Sequence, residues 1–217
     1  MSRYPSLLRG GAGLIAILAS HAAAQASDPL AKLDPASRFA VEAMIDSARV
    51  AGLPSKVLWS RAAEGIAKDR DSREIVKKVR ERFTALKDAR AVLGHVSDDE
   101  LDAAAVLLEA KVKPEALTPF RNSARGRSTL TALTVLGDLV SRGVPRDDAL
   151  SAISKYWMGG ASEADFMGLF RGVESDILQG LNPGAALQNR VREFPGRAPS
   201  SIKPTTPPAG EPETPNS

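Results

Sequence analysis

Residues 72–93 read SREIVKKVRERFTALKDARAVL, and this stretch decides the fold class. Ile75, Val76, Val79, Phe83, Leu86 and Leu93 recur at steps of three, four and seven, which puts them on one face of an α-helix and leaves no strand-like alternation. Asp71 and Glu74 have the spacing of an acidic capping box at its start. Arg73, Lys77, Arg80 and Lys87 follow at intervals of four, three and seven, so they form a basic stripe along another side, while Glu74 and Lys78 are expected to pair.

The flanking segments repeat this chemistry. Asp34-Pro35 reads as an N-cap followed by proline in the first turn, where the missing N–H costs nothing. Phe39, Ala43, Met44, Ala48 and Val50 then form the expected apolar side, and Gly52 stops the helix. Ser97 with Glu100 and Ser162 with Asp165 have capping-box spacing, and Asn182-Pro183 repeats the Asp34-Pro35 logic. Further helices are expected over 98–110, 114–123, 128–142, 145–157, 163–179 and 183–193, with short connections that favour antiparallel neighbours.

The segments AGLPSKVL, AKVKPEAL, SRGVPRDDAL and QGLNPGAAL each close a helix with Gly or Lys, place an aliphatic residue, and reopen at Pro54, Pro114, Pro145 or Pro183. They resemble the turns of helical-repeat interaction proteins, a resemblance that covers the turns alone and assigns no binding residue. The prolines are 60, 31 and 38 residues apart, too uneven for a strict solenoid. The expected architecture is all-α, an irregular bundle of about eight or nine antiparallel helices built from helical hairpins, with a short α-solenoid as the alternative.

Arg3 and Arg9 accompany an uncharged apolar run from Gly10 to Ala19, and small residues around Ala24 and Ala26 suit a peptidase. Residues 1–26 are therefore expected to be a cleaved signal peptide that directs the chain to a secreted or periplasmic location. The apolar run is shorter than the roughly 20 residues that span a bilayer, so no stable transmembrane anchor is expected after processing. A short linker, 27–33, would lead into a helical domain, 34–194. From Pro195 to Ser217 seven of the fifteen prolines lie among small and polar residues, which predicts a disordered tail.

Loss of the leader removes two arginines and leaves 27 Lys and Arg against 26 Asp and Glu, a balance that argues against nucleic acid as a partner. The absence of cysteine excludes disulfides and thiolate ligands. His95 stands alone between two helices and supplies no zinc site. Asp69-Arg70-Asp71 opens like a calcium loop, but Glu74 and Arg80 occupy the positions of the sharp-turn Gly and the bidentate Glu. The Ser-x-x-Lys at Ser200 to Lys203 lies in the tail, and no nucleophile elbow, phosphate loop or dinucleotide fingerprint occurs. No catalytic residue, cofactor or metal is expected. Glu64, set in the apolar stretch Ala62-Ala63-Glu64-Gly65-Ile66, is the one carboxylate with a case for a raised pKa and a hydrolytic role, and Arg61 and Lys68 stand ready to pair it instead.

Two groups are candidates for contact with a partner. Arg73, Lys77, Arg80 and Lys87, joined by Arg121, Arg125 and Arg127, would attract an anionic envelope surface such as lipid, glycolipid or an acidic polymer. Tyr156, Trp157 and Met158, followed by Gly159-Gly160, combine side chains common at interfaces, although packing is the commoner use of aromatics in a chain with 5% of them. The expected function is non-catalytic protein–protein interaction or scaffolding in the cell envelope, through a groove between helices. Binding of an anionic envelope surface is the alternative, and hydrolysis by Glu64 a further one.

Overall fold

The computed structural model describes residues 28–121 and 127–192. The expected leader 1–26, the tail 195–217, Arg125 and the Ser200 to Lys203 match lie outside them. Among the described residues there are nine α-helices and no strand: α1 (Pro35–Val50), α2 (Ser55–Ala67), α3 (Ser72–Leu93), α4 (Asp98–Glu109), α5 (Thr118–Arg121), α6 (Leu130–Ser141), α7 (Arg146–Met158), α8 (Glu163–Leu178) and α9 (Pro183–Arg192). The protein is an all-α helical bundle.

The helix starts are set by local chemistry. The Asp34 carboxylate accepts from the Ser37 N–H, and Ser97–Glu100 and Ser162–Asp165 both form reciprocal capping boxes. Asp71 caps α3 by accepting from Arg73 N–H at 2.8 Å. The helix ends share one device. After α1, Gly52 takes φ +64°, its N–H donates to Arg49 O, and Leu53 N–H donates to Ala48 O, so two orphan carbonyls are satisfied while Leu53 turns into the core. Lys111–Val112, Gly143–Val144 and Gly180–Leu181 repeat the same pair of bonds, which is the physical content of the repeated turn sequences.

Packing follows chain order. α1 contacts α2 and α3, α3 contacts α2 and α4, α4 contacts α6, α6 contacts α7 and α8, and α8 and α7 contact α9. α6 is well enclosed, with Ala132, Leu133, Val135, Leu136 and Leu139 buried. α4 and α6 lie side by side and run in the same direction, because Glu100 at the start of α4 bonds Thr129 at the start of α6, and Leu107 further along meets Gly137. Antiparallel packing therefore does not hold for this pair.

Three sequence expectations are corrected. On α1 the buried face is Ser37, Val41, Ile45 and Ala48, whereas Phe39 is 73% and Val50 91% exposed. Of the expected set Ala48 is buried and Met44 packs partly buried against the core, since α1 carries apolar residues around much of its circumference. The helix expected over 114–123 begins as a 3-10 turn, Pro114–Leu117, and only then becomes α5. Lys78 pairs with Glu81 at 2.9 Å rather than with Glu74, which faces Arg70. Residues 29–32, within the expected linker, form a 3-10 turn that buries Leu30.

Candidate functional site

Glu64 projects from α2 between Lys68 and Arg61, whose side chains donate to it at 2.5 and 3.1 Å. Those hydrogen bonds and charges lower its carboxyl pKa. It is ionised at neutral pH and has no proton to donate, which removes the basis for a general acid at this position. It edges a groove of about 490 Å³ between α2 and α4, where Lys56 and Arg61 face Asp98 and Asp99.

At the base of that groove lies buried Arg82, which the sequence hides inside the charged run Arg80-Glu81-Arg82. Its guanidinium donates to both Glu109 oxygens at 2.9 and 3.0 Å and to Asp102 at 2.5 Å, riveting α3 to α4 across two turns. Arg73, Lys77, Arg80 and Lys87 are all exposed on α3, and none has an ion pair among the described residues. Lys77 and Arg80 border a 380 Å³ depression with Lys111 and with the acids Glu81, Asp88 and Glu109, of which Glu81 is paired with Lys78 and Glu109 with Arg82; Lys87 lies 5.8 Å from the centre of the Phe83 ring. Arg127 does not extend this stripe: its guanidinium stacks on Trp157 at 4.1 Å and donates to Ala161 O.

Tyr156 and Trp157 are also not available to a partner. Both are buried, with Trp157 against Phe120 at 5.9 Å and Tyr156 against Phe166 at 6.1 Å, so they form the aromatic core where α5, α7 and α8 meet. The last residue of the trio, Met158, is 72% exposed.

A second groove of similar size lies between α4 and α6. Asp99, Asp102, Ala103 and Val106 occupy one face of α4 at spacings of three, one and three, and Leu130, Leu133, Gly137 and Asp138 line the facing side of α6. The space between is about 480 Å³. Its floor is apolar, and Val106 is 42% exposed to it. α4 and α6 meet at Gly137, where a Cβ would lie 3.7 Å from Leu107, an ordinary packing contact that an alanine could also make. Asp138 is half-buried, and its carboxylate has no hydrogen-bond or ion-pair partner among the described residues. Burial pushes its carboxyl pKa up, against the pull of Arg142 and with the push of Glu174. Arg142 is itself committed to Glu174 and to the Phe170 ring.

One end of this groove is fastened by Glu100. Its Oε1 accepts from Thr129 N–H at 2.6 Å, Thr129 Oγ1 at 2.8 Å and Ser128 Oγ at 3.1 Å, and its Oε2 from Ser97 N–H and Oγ. Burial alone would raise this carboxyl; the donors from Ser97 and Thr129 outweigh it and hold the pKa at about 2. The sequence marked Glu100 only as half of a capping box, and its second role depends on Thr129, which no local pattern connects to it. In comparisons with known proteins, no family model, curated protein or solved structure matches the chain.

Proposed function

We propose that this chain is a non-catalytic interaction protein of the cell envelope that holds a segment of another polypeptide in the α4–α6 groove. The observation that carries this reading is the coincidence, in one groove, of an exposed apolar floor around Val106 with the unpartnered half-buried carboxylate of Asp138. Apolar concavities with a few placed polar groups are the usual form of a binding site, and a carboxylate left without a partner favours an occupant that supplies one. The envelope location rests on the leader-like residues around Arg3, Arg9 and Ala26. The test is affinity capture from an envelope fraction with the wild type, Val106→Asp and Met158→Asp. A protein retained by the wild type and by Met158→Asp but lost with Val106→Asp supports the reading; identical retention by all three contradicts it.

A second reading, binding of an anionic envelope surface, is favoured by the exposure of Arg73, Lys77, Arg80 and Lys87 without ion-pair partners. It calls for binding to anionic vesicles that weakens with salt, since such contacts are screened within about 10 Å at 0.1 M. Loss of vesicle binding in Arg73→Glu/Lys77→Glu would support it, and unchanged binding would oppose it.

A further inference from the structure

Every ionisable side chain lining the α4–α6 groove is an acid, namely Asp99, Asp102 and Asp138. Asp102 is already bound to Arg82, so Asp99, which also borders the α2–α4 groove with Lys56 and Arg61, and Asp138 are the acids without an ion pair among the described residues. Their spacing follows from the fastening at Glu100 and Thr129. At a rise of 1.5 Å per residue, Asp138 lies nine residues beyond Thr129 and Asp99 one before Glu100, which separates them by about 15 Å along the groove.

The same molecule presents a matching surface on α3. Lys77 and Lys87 are ten residues apart, again about 15 Å along a helix. Both are exposed and unpaired among the described residues, with Arg80 between them and half-buried Phe83 giving the stripe an apolar edge. The two surfaces lie on different sides of α4. Asp99 and Val106 face the groove with α6, whereas Leu108, Glu109 and Lys111 border the depression that holds Lys77 and Arg80.

We infer that the occupant of the α4–α6 groove is a second copy of this chain, seated through its α3 basic face with Lys77 and Lys87 against the acids and the Phe83 edge towards Val106. This rests on the groove being the binding surface, and it names the partner. Because the two faces differ, the contact is heterologous. It repeats from copy to copy and builds open chains or closed rings.

The experiment is sedimentation velocity on the full chain, over a concentration series at low and high salt. Three proteins are compared: the wild type, a groove variant (Asp99→Lys/Asp138→Lys) and a face variant (Lys77→Glu/Lys87→Glu), each checked for helical content by circular dichroism. The wild type is expected to grow in mass with concentration at low salt and to return to monomer at high salt. Each variant alone is expected to remain monomeric. An equal mixture of the two is expected to associate at least tenfold more tightly than either alone, since the basic face of the groove variant meets the intact acids of the face variant. If the half-buried Asp138→Lys change prevents folding, Asp99→Lys alone, at an exposed position, must weaken association in the same direction.

A wild type that stays monomeric at every concentration, or a mixture that fails to restore association, overturns the inference. Association that survives both variants places the contact elsewhere and overturns it as well. Loss of an envelope partner on Val106→Asp, alongside a monomeric wild type, would keep the groove as a binding surface while giving it a foreign occupant.

Discussion

Glu100→Gln should weaken the fold through the fastening of α4 to α6, and the size of the effect follows from its surroundings. The side chain is 8% exposed, and its two oxygens accept five hydrogen bonds from Ser97, Ser128 and Thr129. An amide keeps one accepting oxygen and turns an NH₂ toward donors that then have no acceptor. The carboxyl pKa falls from 4.5 to about 2 on folding. At 1.36 kcal/mol per unit that difference corresponds to about 3 kcal/mol of stability. Because the folded pKa is the lower one, this stability is fully present above the unfolded value and is lost as pH falls toward 2. The assay is urea unfolding of wild type and variant at pH 7 and pH 3. The expected gap is about 3 kcal/mol at pH 7, narrowing by about 2 kcal/mol at pH 3, where the unfolded carboxyl is protonated and the native one is still mostly ionised. A variant within about 0.5 kcal/mol of wild type at pH 7, or a gap that does not narrow in acid, would refute the reasoning.

Three other substitutions probe separate parts of the structure. Arg82→Ala strands Glu109 and Asp102 and should cost about 3 kcal/mol in chemical denaturation; a loss under about 1 kcal/mol would mean that the buried guanidinium is not the tie between α3 and α4. Gly65→Ala places a Cβ 2.7 Å from Ile75 Cγ1, so it should destabilise by about 1–2 kcal/mol despite the better helix propensity of alanine. Combined with Ile75→Ala, it should cost less than the sum of the two single changes, and strict additivity would contradict the proposed clash. Lys111 holds φ +67° without the freedom of glycine, so Lys111→Gly should raise stability by about 0.5–1 kcal/mol; a lower melting temperature would show that the lysine contributes more than its backbone strain costs.

Features encoded within one turn of helix were legible in the sequence. Asp34, Ser97 and Ser162 cap where their side chains predict, and α3 occupies Ser72–Leu93 because cap and apolar period agree over its whole length. The apolar face of α1 was not legible, because Phe39–Ala43–Val50 and Val41–Ile45–Ala48 are both helically spaced and only contacts with α2 and α3 choose between them. Arg82 resembled its exposed neighbours Arg80 and Lys87 until Asp102 and Glu109, twenty or more residues away, were brought to it. The α4–α6 groove was invisible for the same reason. Its acids come from two helices that are not consecutive, and the lack of a partner for Asp138 is a property of the fold rather than of any local pattern. The aromatic trio was a split case, since a helix end shows Tyr156, Trp157 and Met158 together while the fold buries two and exposes one.

The most direct measurement of whether the groove is the working surface is site-specific photo-crosslinking in intact cells, with a benzophenone amino acid placed at Val106 and, as control, at exposed Ser151 on α7. A discrete adduct formed from position 106 and not from 151, whether with a second copy or with one envelope protein, is the predicted result. No adduct at 106, or the same adducts from both positions, would contradict the assignment of function to the α4–α6 groove.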